Sequence, residues 1–213
     1  MIRWFKVLVF IACLGPLGRL GWKAYSGGLG ANPIEFITHS TGDWTLIFLC
    51  ITLAITPLRQ VTRQYWLIRF RRMLGLYAFF YGLLHFTTYF WLDKFFNFHE
   101  IVKDIGKRPF ITVGFTAFVL MIPLALTSTK GWIRRLGGKN WNLLHRLIYF
   151  SAIAGVIHYY WLVKADTTKP REYAVVVGVL LGYRVVRWIM PRIRKPAAID
   201  SRRRPATDMS ISS

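Results

Sequence analysis

Apolar residues in this chain fall into blocks rather than alternating with polar ones. Six blocks stand out: Val7–Tyr25, Trp44–Leu58, Met73–Leu92, Pro109–Thr127, Arg146–Val163 and Tyr173–Met190. Most approach the roughly twenty residues that an α-helix needs to cross about 30 Å of hydrocarbon. The pattern predicts an all-α integral membrane protein, a six-helix transmembrane bundle. The first block follows a basic start, Arg3 and Lys6, and so also resembles a secretory signal. It lacks a clear small-x-small cleavage site, and Arg19 and Lys23 interrupt its far end, so a retained helix is the preferred reading.

Charge placement orients the bundle. Arg59, Arg63, Arg69, Arg71 and Arg72 lie between blocks two and three, with no acidic residue among them. Lys130, Arg134, Arg135, Lys139 and Arg146 lie between blocks four and five, again without acids. The alternate connections carry Glu35 and Asp43, then Asp93, Glu100 and Asp104, then Asp166 and Glu172. The positive-inside rule puts the basic loops and both termini in the cytoplasm. Residues 1–194 read as one membrane domain. Residues 195–213, rich in Arg, Pro and Ser, read as a disordered basic cytoplasmic tail.

Composition agrees. Of 213 residues, 54% are hydrophobic, and the net charge is +20. That charge sits between and after the apolar blocks, where it sets topology and meets lipid headgroups, which argues against nucleic acid as a partner. Cys13 and Cys50 each lie inside a block, and neither C-x-x-C nor C-x-x-C-H occurs, so a disulfide framework, a thiol redox pair and covalent c-type haem attachment drop out.

The candidate chemistry lies with five histidines. His39 and His99 fall in predicted outer loops, His145 at the cytoplasmic start of block five, and His85 and His158 inside blocks three and five. Blocks three and five run the same way. His85 stands thirteen residues beyond Arg72 and His158 twelve beyond Arg146. At 1.5 Å per residue both imidazoles lie about 18–20 Å from the cytoplasmic charges, at one level. Gly82 and Gly155 each precede a histidine by three, on its own helical face, and clear space beside it. Phe79, Phe86 and Tyr89 offer aromatic wall, and Thr88 or Tyr81 a hydrogen bond to an imidazole. The bland alternative is interhelical hydrogen bonding. Ionisable residues inside a membrane lean towards function, and two at one depth suggest a flat ligand held between them. Zinc requires three or four protein ligands, and no carboxylate lies at this depth. The remaining fit is b-type haem with two axial histidines. His145, thirteen residues before His158, faces roughly 140° away from it on a regular helix. It serves either a second haem or a helix interface.

Several runs occur in order: "GGLGANPIEFITHSTG" (Gly27–Gly42), "ITPLR" (Ile55–Arg59), "IRFRRMLGLYAFFYGLLH" (Ile68–His85), "RPFITVGF" (Arg108–Phe115), "LTS" (Leu126–Ser128), "WNLLHRLIYF" (Trp141–Phe150) and "IHYYW" (Ile157–Trp161). As a set they resemble the MsrQ (YedZ) family, the haem-binding membrane subunit of the bacterial MsrP–MsrQ system. The resemblance implies a ferric-reductase-like transmembrane domain in the inner membrane. It further implies electron transfer to periplasmic MsrP, a molybdopterin enzyme that reduces methionine sulfoxide in oxidised proteins and pairs with the subunit as a heterodimer. It assigns haem or metal ligation to His85, His145 and His158, and associates FMN with the family, although no motif here marks an FMN site. The chain lacks a G-x-G-x-x-G in a strand–helix setting, so electrons come from quinol or a cytosolic flavin reductase. The subunit itself is not expected to act on methionine sulfoxide. The rivals are a stand-alone quinol-oxidising cytochrome b or metal reductase, and a cofactor-free transporter or assembly factor.

Overall fold

A computed structural model of the chain describes residues 2–163 and 165–193. The tail expected to be disordered lies outside the described residues. Eight helices follow in order: α1 (Ile2–Tyr25), α2 (Pro33–Thr62), α3 (Ile68–Thr87), α4 (Phe98–Lys107), α5 (Pro109–Leu126), α6 (Lys130–Leu144), α7 (Leu147–Leu162) and α8 (Thr168–Ile193). A π-helical turn, Thr88–Asp93, prolongs α3. No strand occurs among the described residues.

Among the described residues, four helices are long and apolar enough to cross a membrane: those over Trp4–Tyr25, Pro33–Thr62, Pro109–Leu126 and Thr168–Met190. The other two expected spans depart from that standard for visible reasons. α3 opens on Arg69, Arg71 and Arg72, and α7 is apolar but only 16 residues long.

Three expected loops are largely helical. Asn32 caps α2, its side chain accepting from the Glu35 N–H at 3.3 Å, and Pro33 stands in the first turn. That start draws Glu35, His39 and Asp43 onto a helix, so His39 is not a loop residue. Asn97 caps α4 in the same way, and α4 carries His99. Thr129 caps α6, which turns at Gly137, where φ is +72°. Both α4 and α6 are too charged to register as apolar blocks. They lie between the membrane-crossing elements.

The core lies between α2 and α3 and between α5 and α7, the most extensively packed pairs. Ala78, Ala152 and Ser151 are fully buried, and small residues let helices approach where lipid gives no hydrophobic drive. The Ser151 hydroxyl donates to the Ala117 carbonyl at 2.9 Å, tying α7 to α5. Phe48 of α2 stacks between Tyr77 and Tyr81 of α3 at 5.6 and 5.3 Å. These tyrosines also hold α1. The Tyr77 hydroxyl donates to the Phe10 carbonyl at 2.8 Å. The Tyr81 hydroxyl donates to the Cys13 carbonyl at 2.9 Å and accepts from the Leu17 N–H at 3.2 Å. Tyr81 thus bridges a carbonyl and an N–H that lie one turn apart on α1. In α8, Arg184 donates to the carbonyls of Leu180 and Leu53, at 2.8 and 2.5 Å, and lies over the Tyr149 ring. A cation inside an apolar helix is thereby satisfied by backbone oxygen and an aromatic face.

Candidate functional site

One cavity of about 490 Å³ opens among α2, α3, α5 and α7. Its wall is largely apolar, lined by Leu46, Leu49, Phe86, Phe115, Phe118 and Met121, with Asn32, Glu35, His39, Asp43, Asp93 and Arg108 among its polar lining. His85 and His158 both line it. Their ring centroids stand 6.1 Å apart with the planes at 76°.

Each imidazole is committed in the same sense. His85 Nδ1 lies 2.9 Å from the Thr38 carbonyl, and His158 Nδ1 lies 2.7 Å from the Phe110 carbonyl. A carbonyl only accepts, so each Nδ1 carries the proton and donates. That leaves each Nε2 with a lone pair, the arrangement of a metal-ligating histidine whose other nitrogen is held by backbone oxygen.

The expected partners of these rings were wrong in detail. Thr88 donates to the Leu84 carbonyl and Tyr81 to α1, so neither reaches a histidine. Gly82 and Gly155 line the histidines' cavity as expected, but the glycines that press on the rings are others. A Cβ on Gly42 of α2 would stand 3.1 Å from His85 Nδ1, and one on Gly114 of α5 would stand 2.5 Å from His158 Nδ1. Gly82 and Gly155 line the cavity and face Thr45 and Leu46 instead. Phe86 and Tyr89 line the cavity as expected, whereas Phe79 stacks on Phe118 at 5.7 Å behind the wall. Thr38, Gly42, Phe110 and Gly114 all fall within two of the runs that carried the family resemblance, a signal that pointed to them without assigning a role.

His145 lies apart from this cavity. The helix breaks at 145–146, so α6 and α7 do not form the regular helix on which its angle to His158 was reckoned. Its ring stacks on Trp141 at 3.8 Å, and its Nε2 lies 3.2 Å from the Thr127 hydroxyl. That hydroxyl donates to the Pro123 carbonyl at 2.6 Å, so His145 Nε2–H is the donor to Thr127. Trp141 Nε1 donates to the Thr127 carbonyl at 2.9 Å. Together the two rings grip the end of α5.

At the cavity mouth the carboxylates have nitrogen-bearing neighbours: Glu35 the His39 ring at 3.8 Å, Asp43 the Lys169 ammonium at 3.6 Å, Asp93 that of Lys94 at 4.0 Å. Asp104 of α4 is more enclosed. Lys94 reaches it at 2.6 Å, Arg108 at 3.4 Å and the Tyr89 hydroxyl at 3.3 Å. The Lys94 hydrogen bond holds the Asp104 carboxyl below its usual value.

The described residues contain no group of three or more His, Cys, Asp or Glu suited to a bare metal ion. Two imidazoles alone suit a metal that brings its other ligands with it. The spacing fits such a centre: two metal–nitrogen bonds of about 2 Å plus two ring radii of about 1.1 Å give about 6 Å between ring centroids. The cavity volume is within the range of sites for sizeable ligands.

Comparison with known proteins bears on which family this is. The model of the ferric reductase like transmembrane component matches residues 41–156, a stretch that contains His85 and ends two residues before His158. The chain is 59% identical over 182 residues to the protein-methionine-sulfoxide reductase heme-binding subunit MsrQ of Herminiimonas arsenicoxydans, covering 84% of each chain. The chain belongs to the MsrQ family. The MsrQ protein of Ralstonia nicotianae is 50% identical over 209 residues, with 97% of this chain and 95% of the relative covered. That of Xanthomonas campestris pv. campestris is 51% identical over 208 residues, covering 95% and 94%. No solved structure matches the chain.

Proposed function

We propose that the chain binds b-type haem between His85 and His158. On this reading it is the membrane electron-transfer subunit of a protein-methionine-sulfoxide reductase system. The observation that carries this reading is the matched pair of imidazoles, each anchored through Nδ1 to a backbone carbonyl and each lining one apolar cavity. Haem iron bound there supplies reversible one-electron chemistry. The Thr38 and Phe110 carbonyls fix the tautomer and aim of each ring. The phenylalanine-rich wall excludes water. Arg108 offers a cation at the mouth for the anionic edge of the ligand.

Six spans, with both termini cytoplasmic, are the topology of this reading. α3 and its π-helical extension comprise 20 and 6 residues, enough to cross, and the 16-residue α7 is packed against α5 and α8. The arginines flanking α3 and the basic α6 face the cytoplasm. Residues 1–194 form the functional unit in the inner membrane, followed by a basic tail. Electrons enter from quinol or a cytosolic flavin reductase and leave to a periplasmic molybdopterin partner, MsrP. The N-terminal part of α2 and α4 flank the cavity mouth on the exit side. FMN is a family expectation for which we assign no residues, and His145 is the one residue through which a second haem would be held.

The test is spectroscopic. Purified protein, expressed with ample haem, shows b-type bands in the dithionite-reduced minus oxidised spectrum. His85→Ala and His158→Ala each remove the same bands. Wild-type haem content in both variants would overturn the pairing, and no haem in the parent chain would leave a cofactor-free membrane protein. Co-purification with a periplasmic molybdoenzyme separates this reading from a stand-alone cytochrome.

A further inference from the structure

Beyond the π-helical turn the chain reverses through a segment that the cavity does not use. Phe95 and Phe96 both have positive φ, 46° and 61°. A bulky L-residue is crowded there, and two in succession are held only against that strain. The Phe95 N–H donates to the Trp91 carbonyl and the Phe96 N–H to the Phe90 carbonyl, both at 3.1 Å. The result is an outward-facing aromatic tip. Phe95 is 77% exposed and Phe96 52%, beside Trp91 at 54% and Phe98 at 67%.

The helix that follows has three distinct sides. Ile101 and Asp104 of α4 are buried against the bundle. Phe98 and Val102, one turn apart, are exposed together. Glu100, Lys103 and Lys107 occupy a third, charged side. A helix with a bundle side, an apolar side and a charged side suits a membrane–water boundary. The apolar side also adjoins a membrane-crossing element, because α5 begins at Pro109, two residues after α4 ends. An unbroken run of ring contacts leads from Phe115, on the membrane-crossing α5, to Phe86 at 6.0 Å and Phe90 at 5.8 Å. From Phe90 it reaches Phe96 at 5.1 Å and Phe98 at 5.4 Å.

We propose that Trp91, Phe95, Phe96, Phe98 and Val102 form a lipid-binding surface seated at the headgroup–acyl boundary of the leaflet beside the cavity mouth. Lipid is the partner that covers these rings and balances the strain of the turn. Ile105 of α4 and Arg108, the residue after that helix, line the cavity, so the bilayer itself braces one edge of the site. The proposal rests on the chain crossing a membrane and is independent of what fills the cavity.

The experiment uses the full chain in phosphatidylcholine–phosphatidylglycerol nanodiscs. Cys13 and Cys50 are buried, so a cysteine introduced as Phe96→Cys or Lys103→Cys takes an NBD label selectively. The Phe96→Cys label is expected to emit further to the blue and to be quenched several-fold more by doxyl-labelled phosphatidylcholine than the Lys103→Cys label. Aqueous iodide should show the opposite order. Phe98→Cys, on regular helical backbone, repeats the measurement without touching the strained turn. Equal lipid and iodide quenching at all three positions would overturn the proposal. So would shielding of the Phe96→Cys and Phe98→Cys labels that appears only on adding a soluble protein partner.

Discussion

The cavity pair and His145 use opposite ring nitrogens, and that contrast separates two roles that look alike in a sequence. His85 and His158 donate through Nδ1 to backbone carbonyls of neighbouring helices and keep a lone pair on Nε2, in rings that line one cavity. His145 donates through Nε2 to a threonine hydroxyl and lies flat on a tryptophan. At the first site the protein satisfies the nitrogen a metal does not need. At the second it occupies the nitrogen that the other two leave free. The lesson is that a histidine's readiness to bind is set by residues far off in sequence, here 47 and 48 positions away.

Crowding the first site should produce the largest effect. Gly114→Val places carbon where His158 Nδ1 already stands, 2.5 Å from the ideal Cβ, so haem content should fall to near that of His158→Ala. The overpacking itself costs about 1–3 kcal/mol. Gly42→Ala, at 3.1 Å from His85, should lower haem occupancy less, and Gly178→Ala, with nothing within 4 Å, should leave it unchanged. Equal haem loss from all three, read from pyridine haemochrome spectra, would erase the distinction between the clasp and the rest of the bundle.

Next in size is Tyr81→Phe, which removes a buried hydroxyl bonded to both Cys13 and Leu17. It should destabilise by about 1–2 kcal/mol, read as earlier thermal unfolding in detergent, with the histidine geometry untouched. Asp104→Asn should follow. The native carboxyl is held below its unfolded pKa of about 3.9 by Lys94, so its contribution is present above that pH and lost as pH falls through the folded value. Between pH 6 and pH 3 the parent should lose stability that Asp104→Asn has already lost, giving the variant the flatter profile.

His145→Gln should be the mildest for the clasp, loosening the grip on Thr127 by about 1 kcal/mol or less while the bands of the His85–His158 haem persist. Disappearance of those bands would mean that the two regions are not independent.

Much of the fold was legible because lipid imposes a long apolar run on every crossing helix. The paired depth of His85 and His158 was legible for a related reason, since a fixed rise per residue converts sequence distance into height. The amphipathic α4 and α6 escaped because charge hides a helix from a hydropathy reading, although Asn97 and Thr129 mark their starts. Thr38 and Phe110 escaped more completely. Their contribution is a carbonyl, which every residue possesses, so side-chain chemistry could not single them out. Gly42 and Gly114 were missed because the reading looked along each histidine's own helix, while the close approach comes from the helix opposite.

The hydroxyl wedged into α1 bears on how this protein is made. Translation delivers the first helix well before the third, and Tyr81 lies 64 residues after Leu17. The groove of α1 that takes the hydroxyl is therefore laid down before the side chain that fills it, and its final fit should date from the arrival of α3 rather than from its own insertion.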